Sequence, residues 1–160
     1  LSGILGIDVS SYAIDMVLLQ DEPDQECTWH RATLGDQQTP LLDRVIATRK
    51  LFPKPSEFDD HGIYAIAIED PMSRFPHVAK SLGQVTGAVI ARTPAHVQII
   101  QTQPHEWRQL TGGKGAKKAD GIRWAQTELG HTTWSDDAYE AYCIARAVRT
   151  LCETAAERSR

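Results

Sequence analysis

A chain of 160 residues, 41% hydrophobic and 24% charged, has a globular composition, and its length suits one domain over 1–160 that buries about two-thirds of its unfolded surface. A formal net charge of −4 excludes a surface coated in phosphate-binding residues, yet allows a local basic patch beside an acidic, cation-binding site. No apolar run reaches the roughly 18 residues that cross a bilayer, and none follows a basic head, so a soluble cytoplasmic protein is expected.

Residues 4–9, "ILGIDV", are short, apolar and rich in β-formers, and predict a buried strand. Ser10-Ser11 predict a tight turn, 12–20 a second strand, and "DEPD" a turn into a third strand over 27–34. Leu41, Leu42, Val45 and Ile46 fall at helical spacing within 38–52, and a loop over 53–61 with two prolines and two aspartates ends that helix. A fourth strand follows at 63–68, then the loop "DPMSRFP" and a helix over 77–92. That helix carries Val78, Leu82, Val85 and Val89 on one side, and Gly83 and Gly87 on another where a backbone could approach closely. A fifth strand is expected at 95–101, and Pro104 opens a short helix, "PHEWRQL". The basic, glycine-rich "TGGKGAKKAD" leads into a helix ending near Leu129, and Ser135 caps a last helix over 136–157 with the stripe Ala138, Ala141, Ala145, Val148 and Cys152. The order β-β-β-α-β-α-β-α-α indicates an α/β fold around a five-stranded mixed sheet. Three cysteines without a C-x-x-C pair argue against disulfides or structural zinc, so the thiols read as reduced packing residues.

Two strands end on acids: "GID" on Asp8 and "AIAIE" on Glu69. A carboxylate at the end of a buried strand must pair, protonate or bind a cation. If the two strands are adjacent and parallel, Asp8 and Glu69 converge. Asp137 and Glu140, three apart in "SDDAYEAY", share one face of the last helix. Four oxygen ligands with few obvious cationic partners suit Mg²⁺, with Mn²⁺ able to substitute. Two such ions roughly 3.5–4 Å apart serve phosphodiester cleavage. Each acid has a plainer reading: Asp137 as a first-turn residue favoured by the helix dipole, Asp8 as a turn former. Asp136, Asp15 and Asp70 are competing acids ranked lower. The joint pattern favours the metal reading.

"GIDVSS", "AIED" and "DDAYEAYCIA", in that order, resemble RuvC-type Holliday junction resolvases of the ribonuclease H-like nuclease superfamily. The resemblance spans nearly the whole chain and implies a ribonuclease H-like fold, with Asp8, Glu69, Asp137 and Glu140 as ligands of two metal ions. Glu140 stands where the bacterial motif has Asp, and Val9-Ser10 where it has Pro-Gly. The resemblance further implies that Lys118 acts near the scissile phosphate and that Lys114 and Lys117 hold flanking phosphates. It makes Phe75 and Met72 candidates for an apolar wedge in DNA, and Gly83 and Gly87 part of a homodimer interface. For the lysines the plainer reading is a solvated surface, for Phe75 packing on its own domain, and for the two glycines internal packing. The expected function is metal-dependent cleavage of branched DNA, most simply four-way junctions cut by paired nicks, in a bacterial, viral or organellar setting. The alternatives are a flap or replication-fork nuclease of the same superfamily, a non-catalytic DNA-binding module, and a phosphate-binding fold of the actin and sugar-kinase type. The last lacks its second glycine-rich loop here.

Overall fold

The computed structural model describes residues 2–22, 27–71 and 75–158. Strands β1 (Gly3–Val9), β2 (Ala13–Gln20) and β3 (Thr28–Thr33) form an antiparallel meander. Strands β4 (Ile63–Glu69) and β5 (Gln98–Thr102) add in parallel on the other side of β1, giving the sheet order β3-β2-β1-β4-β5. The helices are α1 (Leu41–Leu51), α2 (Pro55–Asp60), α3 (Pro76–Arg92), α4 (Pro104–Gly112), α5 (Lys118–Leu129) and α6 (Asp136–Arg158).

Side chains alternate across a strand, so each face of the sheet can be read from the sequence. On β1 and β4, Leu5, Ile7, Ile66 and Ile68 enter one apolar cluster with Phe52, Phe58, Val85 and Val89. Ile4, Ala65 and Ala67 enter the other, beneath Ala141, Ile144, Ala145 and Val148 of α6. Asp8 and Glu69 continue the second series, so both side chains emerge on the α6 face. Ile7 pairs with Ile68, which sets the two acids at the same end of adjacent parallel strands. The residues beneath the helix are small for a reason. A Cβ built on Gly6 would lie 2.0 Å from the Ala141 carbonyl oxygen, so only glycine admits α6 this close to β1.

Several elements depart from the sequence expectations. The stretch expected as a loop over 53–61 contains α2: Pro55 suits a first turn, the Glu57 side chain accepts the Lys54 N–H, and Phe58 is buried beside Phe52 at 6.0 Å between ring centroids. Pro55 opens this helix rather than breaking it, and Asp59 and Asp60 close it. Strand β5 starts later than expected, after a turn in which the Val97 N–H bonds the Pro94 carbonyl at 3.0 Å. Helix α1 forms where the spacing expects it, with Leu41 and Val45 partly buried, Leu42 69% exposed and Ile46 exposed as well. Gly83 and Gly87 are exposed with open space where a Cβ would stand, so they do not serve internal packing.

The turn after Asp8 works without the glycine of the resembling motif. Ser10 N–H donates to the Ala13 carbonyl at 2.9 Å, and Ser10 Oγ accepts the N–H groups of Ala13 at 2.9 Å and Tyr12 at 3.3 Å. Among the described residues no non-glycine has a positive φ, so a serine turn closes this hairpin without left-handed strain. No helix among the described residues is long and apolar enough to cross a membrane.

Candidate active site

Each acid of the expected set reaches the same end of the sheet. Ser135 Oγ accepts the Ala138 N–H at 3.2 Å, the N-cap bond expected for α6, and thereby fixes the turn that carries Asp137 and Glu140. Glu140 is 5% exposed, whereas Asp137 is partly open to solvent. Burial pushes the Asp8 carboxyl well above its ordinary value, and the charges of Glu140, Asp137 and Glu69 push it further, with Lys118 opposing them. Burial likewise raises the Glu140 carboxyl, against the pull of Lys118. Asp8 and Glu140 thus feel the charges of the other acids, which makes the four carboxylates one electrostatic unit.

The sequence reading named Lys118 but not its pairing with the acids, and it missed Arg31 altogether. Lys118, at the start of α5, forms an ion pair with Glu140 and lies 3.9 Å from Asp137. Its ammonium is stabilised in the charged form by Glu140, Asp8 and Asp137, although burial works against it. Arg31 of β3 is the second cation, 3.2 Å from Asp15 and 3.5 Å from Asp137. The expectation of few cationic partners is thus corrected. Asp15 is the direct cross-strand partner of Asp8 and only 2% exposed. It is engaged by Arg31 and by the Trp29 indole N–H at 2.9 Å. Asp70, the other competing acid, accepts the Gln103 amide at 2.6 Å in the loop after β4.

Glu69 is oriented from behind. Trp107, fully buried in α4, donates its indole N–H to Glu69 Oε2 at 2.6 Å. Gly121 lets that ring nest against α5, because a Cβ there would meet the Trp107 ring at 3.0 Å. "PHEWRQL" read as a helix, but its tryptophan gave no sign of serving Glu69, because the link is tertiary. Trp107→Phe keeps an aromatic ring, though a smaller one, and removes the donor. We expect it to remain folded and to lose roughly 10–100-fold in metal affinity or rate, the usual effect of removing the support of a ligand. Titration with Mn²⁺ and a melting curve check this; unchanged metal binding and rate would remove Trp107 from the site.

The donor chemistry of Asp8, Glu69, Asp137 and Glu140 fits a hard divalent cation. All are oxygens, Asp8 and Glu140 are crowded by like charge, and buried Glu140 Oε1 has the Lys118 ammonium as its partner, a position a metal cation could take over. Among the described residues, however, no three acids, histidines or cysteines are drawn together as closely as metal ligands, and the Lys118 ammonium stands among the acids instead.

The remaining expected residues surround this centre unevenly. Lys114 and Lys117 are exposed in the stretch before α5, where Gly113 and Gly115 adopt positive φ and make the sharp turns. Phe75 is 57% exposed beside the start of α3 and stands 6.2 Å from the His77 ring. Met72 lies outside the described residues. Among the thiols, Cys143 is buried, with its pKa pushed up to about 12 by burial, and no disulfide joins the three cysteines.

No family model matches the chain, and no curated protein matches it. Solved structures do. Thermus thermophilus RuvC in complex with a Holliday junction substrate is 19% identical, with 92% of both chains covered and a TM-score of 0.76. A second structure of Thermus thermophilus RuvC is 17% identical over 96% of both chains, again with a TM-score of 0.76. The fowlpox virus resolvase in complex with Holliday junction DNA is 10% identical over 91% of this chain and 95% of its own, with a TM-score of 0.50. The sheet order, the flanking helices and this overlap show that the chain has the ribonuclease H-like fold of RuvC and resembles the Holliday junction resolvases in structure.

Proposed function

We propose that the chain is a metal-dependent endonuclease that cuts branched DNA, resolving four-way junctions by paired nicks as a homodimer. The observation that carries this reading is the gathering of Asp8, Glu69, Asp137 and Glu140, with Lys118 among them beside Glu140 and Asp137, at the strand ends of a RuvC-like sheet. Two of the similar structures hold junction DNA, which supports the substrate class.

In this reading the four acids hold the divalent ions, and Asp8 is the ligand between strand and helix. When bound, the metal supplies an activated water and charge stabilisation at phosphorus. Trp107 keeps one oxygen of Glu69 turned away and leaves the other for the site. Lys118 balances the acids and, being half-exposed, has the freedom to turn from Glu140 toward a phosphate oxygen. Exposed Leu42 and Ile46 on α1, beside an α3 that presents Gly83 and Gly87 outward, support an apolar contact with a second copy.

Lys114 and Lys117 are read as phosphate contacts flanking the cut. Replacing either with alanine should weaken junction binding evenly across sequences and lower the salt slope by about 1. A slope unchanged in both variants would leave them as solvated surface residues.

The deciding experiment is Mg²⁺-dependent cleavage of a mobile four-way junction, compared with flap, fork and plain duplex DNA. Symmetric paired nicks in the junction are expected. Preference for the flap would favour a fork nuclease of the same fold, and binding of all substrates without cutting would favour a non-catalytic module.

A further inference from the structure

On β3, Trp29, Arg31 and Thr33 share the face that carries Asp8 and Asp15, as their pairing with Val17, Asp15 and Ala13 dictates. Trp29 is 37% exposed and belongs to neither apolar cluster, so the core does not account for it. It is nevertheless held in place. Its indole N–H donates to Asp15, a carboxylate buried directly opposite Asp8. Trp134, in the segment leading to α6, lies 6.3 Å from Trp29 and is backed by His131 at 5.0 Å and Tyr139 at 5.8 Å. Trp29, Trp134, His131 and Thr133 also line one end of a groove of about 1280 Å³.

This aromatic pair is tied to the carboxylate unit by one residue. Arg31 touches Asp15, the anchor of Trp29, and also Asp137. Trp29 precedes Arg31 by two residues of strand, about 6.8 Å along the chain. An exposed tryptophan fixed by its edge presents a ring face, and a rigid ring face beside a cation suits a nucleic-acid base. The position is across the sheet from Phe75, since β4 and β3 lie on opposite sides of β1.

We propose that Trp29 and Trp134 form a stacking platform for an unpaired DNA base close to the phosphate that is cut at the carboxylate unit. The inference rests on the reading of the chain as a nuclease acting on branched DNA. The groove's own arginines, Arg146 and Arg149, are paired with Glu128 and Asp21, so the aromatic end is the part assigned to the base.

The test is a four-way junction carrying 2-aminopurine at successive positions around the cut, bound by the full chain in EDTA so that nothing is cleaved. Wild type should change the fluorescence at one or two positions. Trp134→Ala and Trp29→Leu should abolish that change and weaken junction binding about 10-fold, whereas Trp29→Phe, which keeps a ring, should retain most of both. Melting curves establish that each variant is folded, and the wild-type scan stands even if Trp29→Leu is not. Folded variants with wild-type fluorescence and affinity overturn the proposal, as does a wild-type scan with no position affected. The two readings separate: cutting without a stacking signal removes the platform alone, while a stacking signal without Mg²⁺-dependent cutting removes the nuclease reading alone. Absence of any junction binding removes both.

Discussion

Asp8→Asn should abolish cleavage, by at least ~10²–10³-fold, while leaving junction binding in EDTA intact, because it removes a charge at the centre of the site rather than a DNA contact. The same substitution should raise the melting temperature in EDTA near neutral pH. The sign follows from the direction of the shift. Asp8 is raised by burial first and then by Glu140, Asp137 and Glu69. Its folded pKa therefore lies above the unfolded value of about 3.9, and between the two the native state binds more protons than the unfolded chain. Stability in EDTA should fall as pH rises through that window, and Glu140, raised for the same first reason, adds to the slope. Asparagine removes the Asp8 share, so the variant should show a flatter dependence of melting temperature on pH. Mg²⁺ should stabilise wild type by mass action and stabilise the variant much less. Melting curves from about pH 4.5 to 8, with EDTA and with Mg²⁺, check all three effects. A variant that melts lower in EDTA and gains equally from Mg²⁺ would show that Asp8 is not part of a crowded cation site.

Much of this unit was legible because it depends on strand period and helix spacing. Alternation along "GILGID" and "IYAIAIE" put Asp8 and Glu69 on a common face as soon as β1 and β4 proved adjacent and parallel. The interval from Asp137 to Glu140 did the same on α6. What the sequence hid are contacts between elements distant in the chain. Arg31 reaches an acid 106 residues away, and Trp107 bonds an acid 38 residues away. Neither side chain carries a local pattern. Helix α2 was hidden for another reason: a proline can open a helix as well as break one, and only the burial of Phe58 decides between the two. The spacing on α1 identified the helix, but helical spacing reports an apolar face and not what covers it.

Gly6→Ala should be the most disruptive single methyl in the fold. The added carbon would stand 2.0 Å from the Ala141 carbonyl oxygen and 2.8 Å from Ala145 Cβ, whereas ordinary contact begins at 3.4 Å. The first neighbour is helix backbone, so no rotamer change relieves it, and α6 must lift from β1 as a body. Overpacking costs typically about 1–3 kcal/mol and occasionally more, and a clash with backbone belongs at the upper end. For a chain of this size about 3 kcal/mol lowers the melting temperature by roughly 6–12 °C. The functional loss should be larger than the loss of fold, because Glu140 immediately precedes Ala141 and moves with it. A displacement of about 1 Å at a catalytic group costs on the order of 10²-fold in rate. Gly83→Ala provides the contrast, since it meets open space on an exposed helix face and should stabilise the protomer by about 0.5–1 kcal/mol. If the two variants melt alike, α6 does not rest on Gly6, and the distance between Asp8 and Glu140 must be set by something other than the close approach of helix and strand.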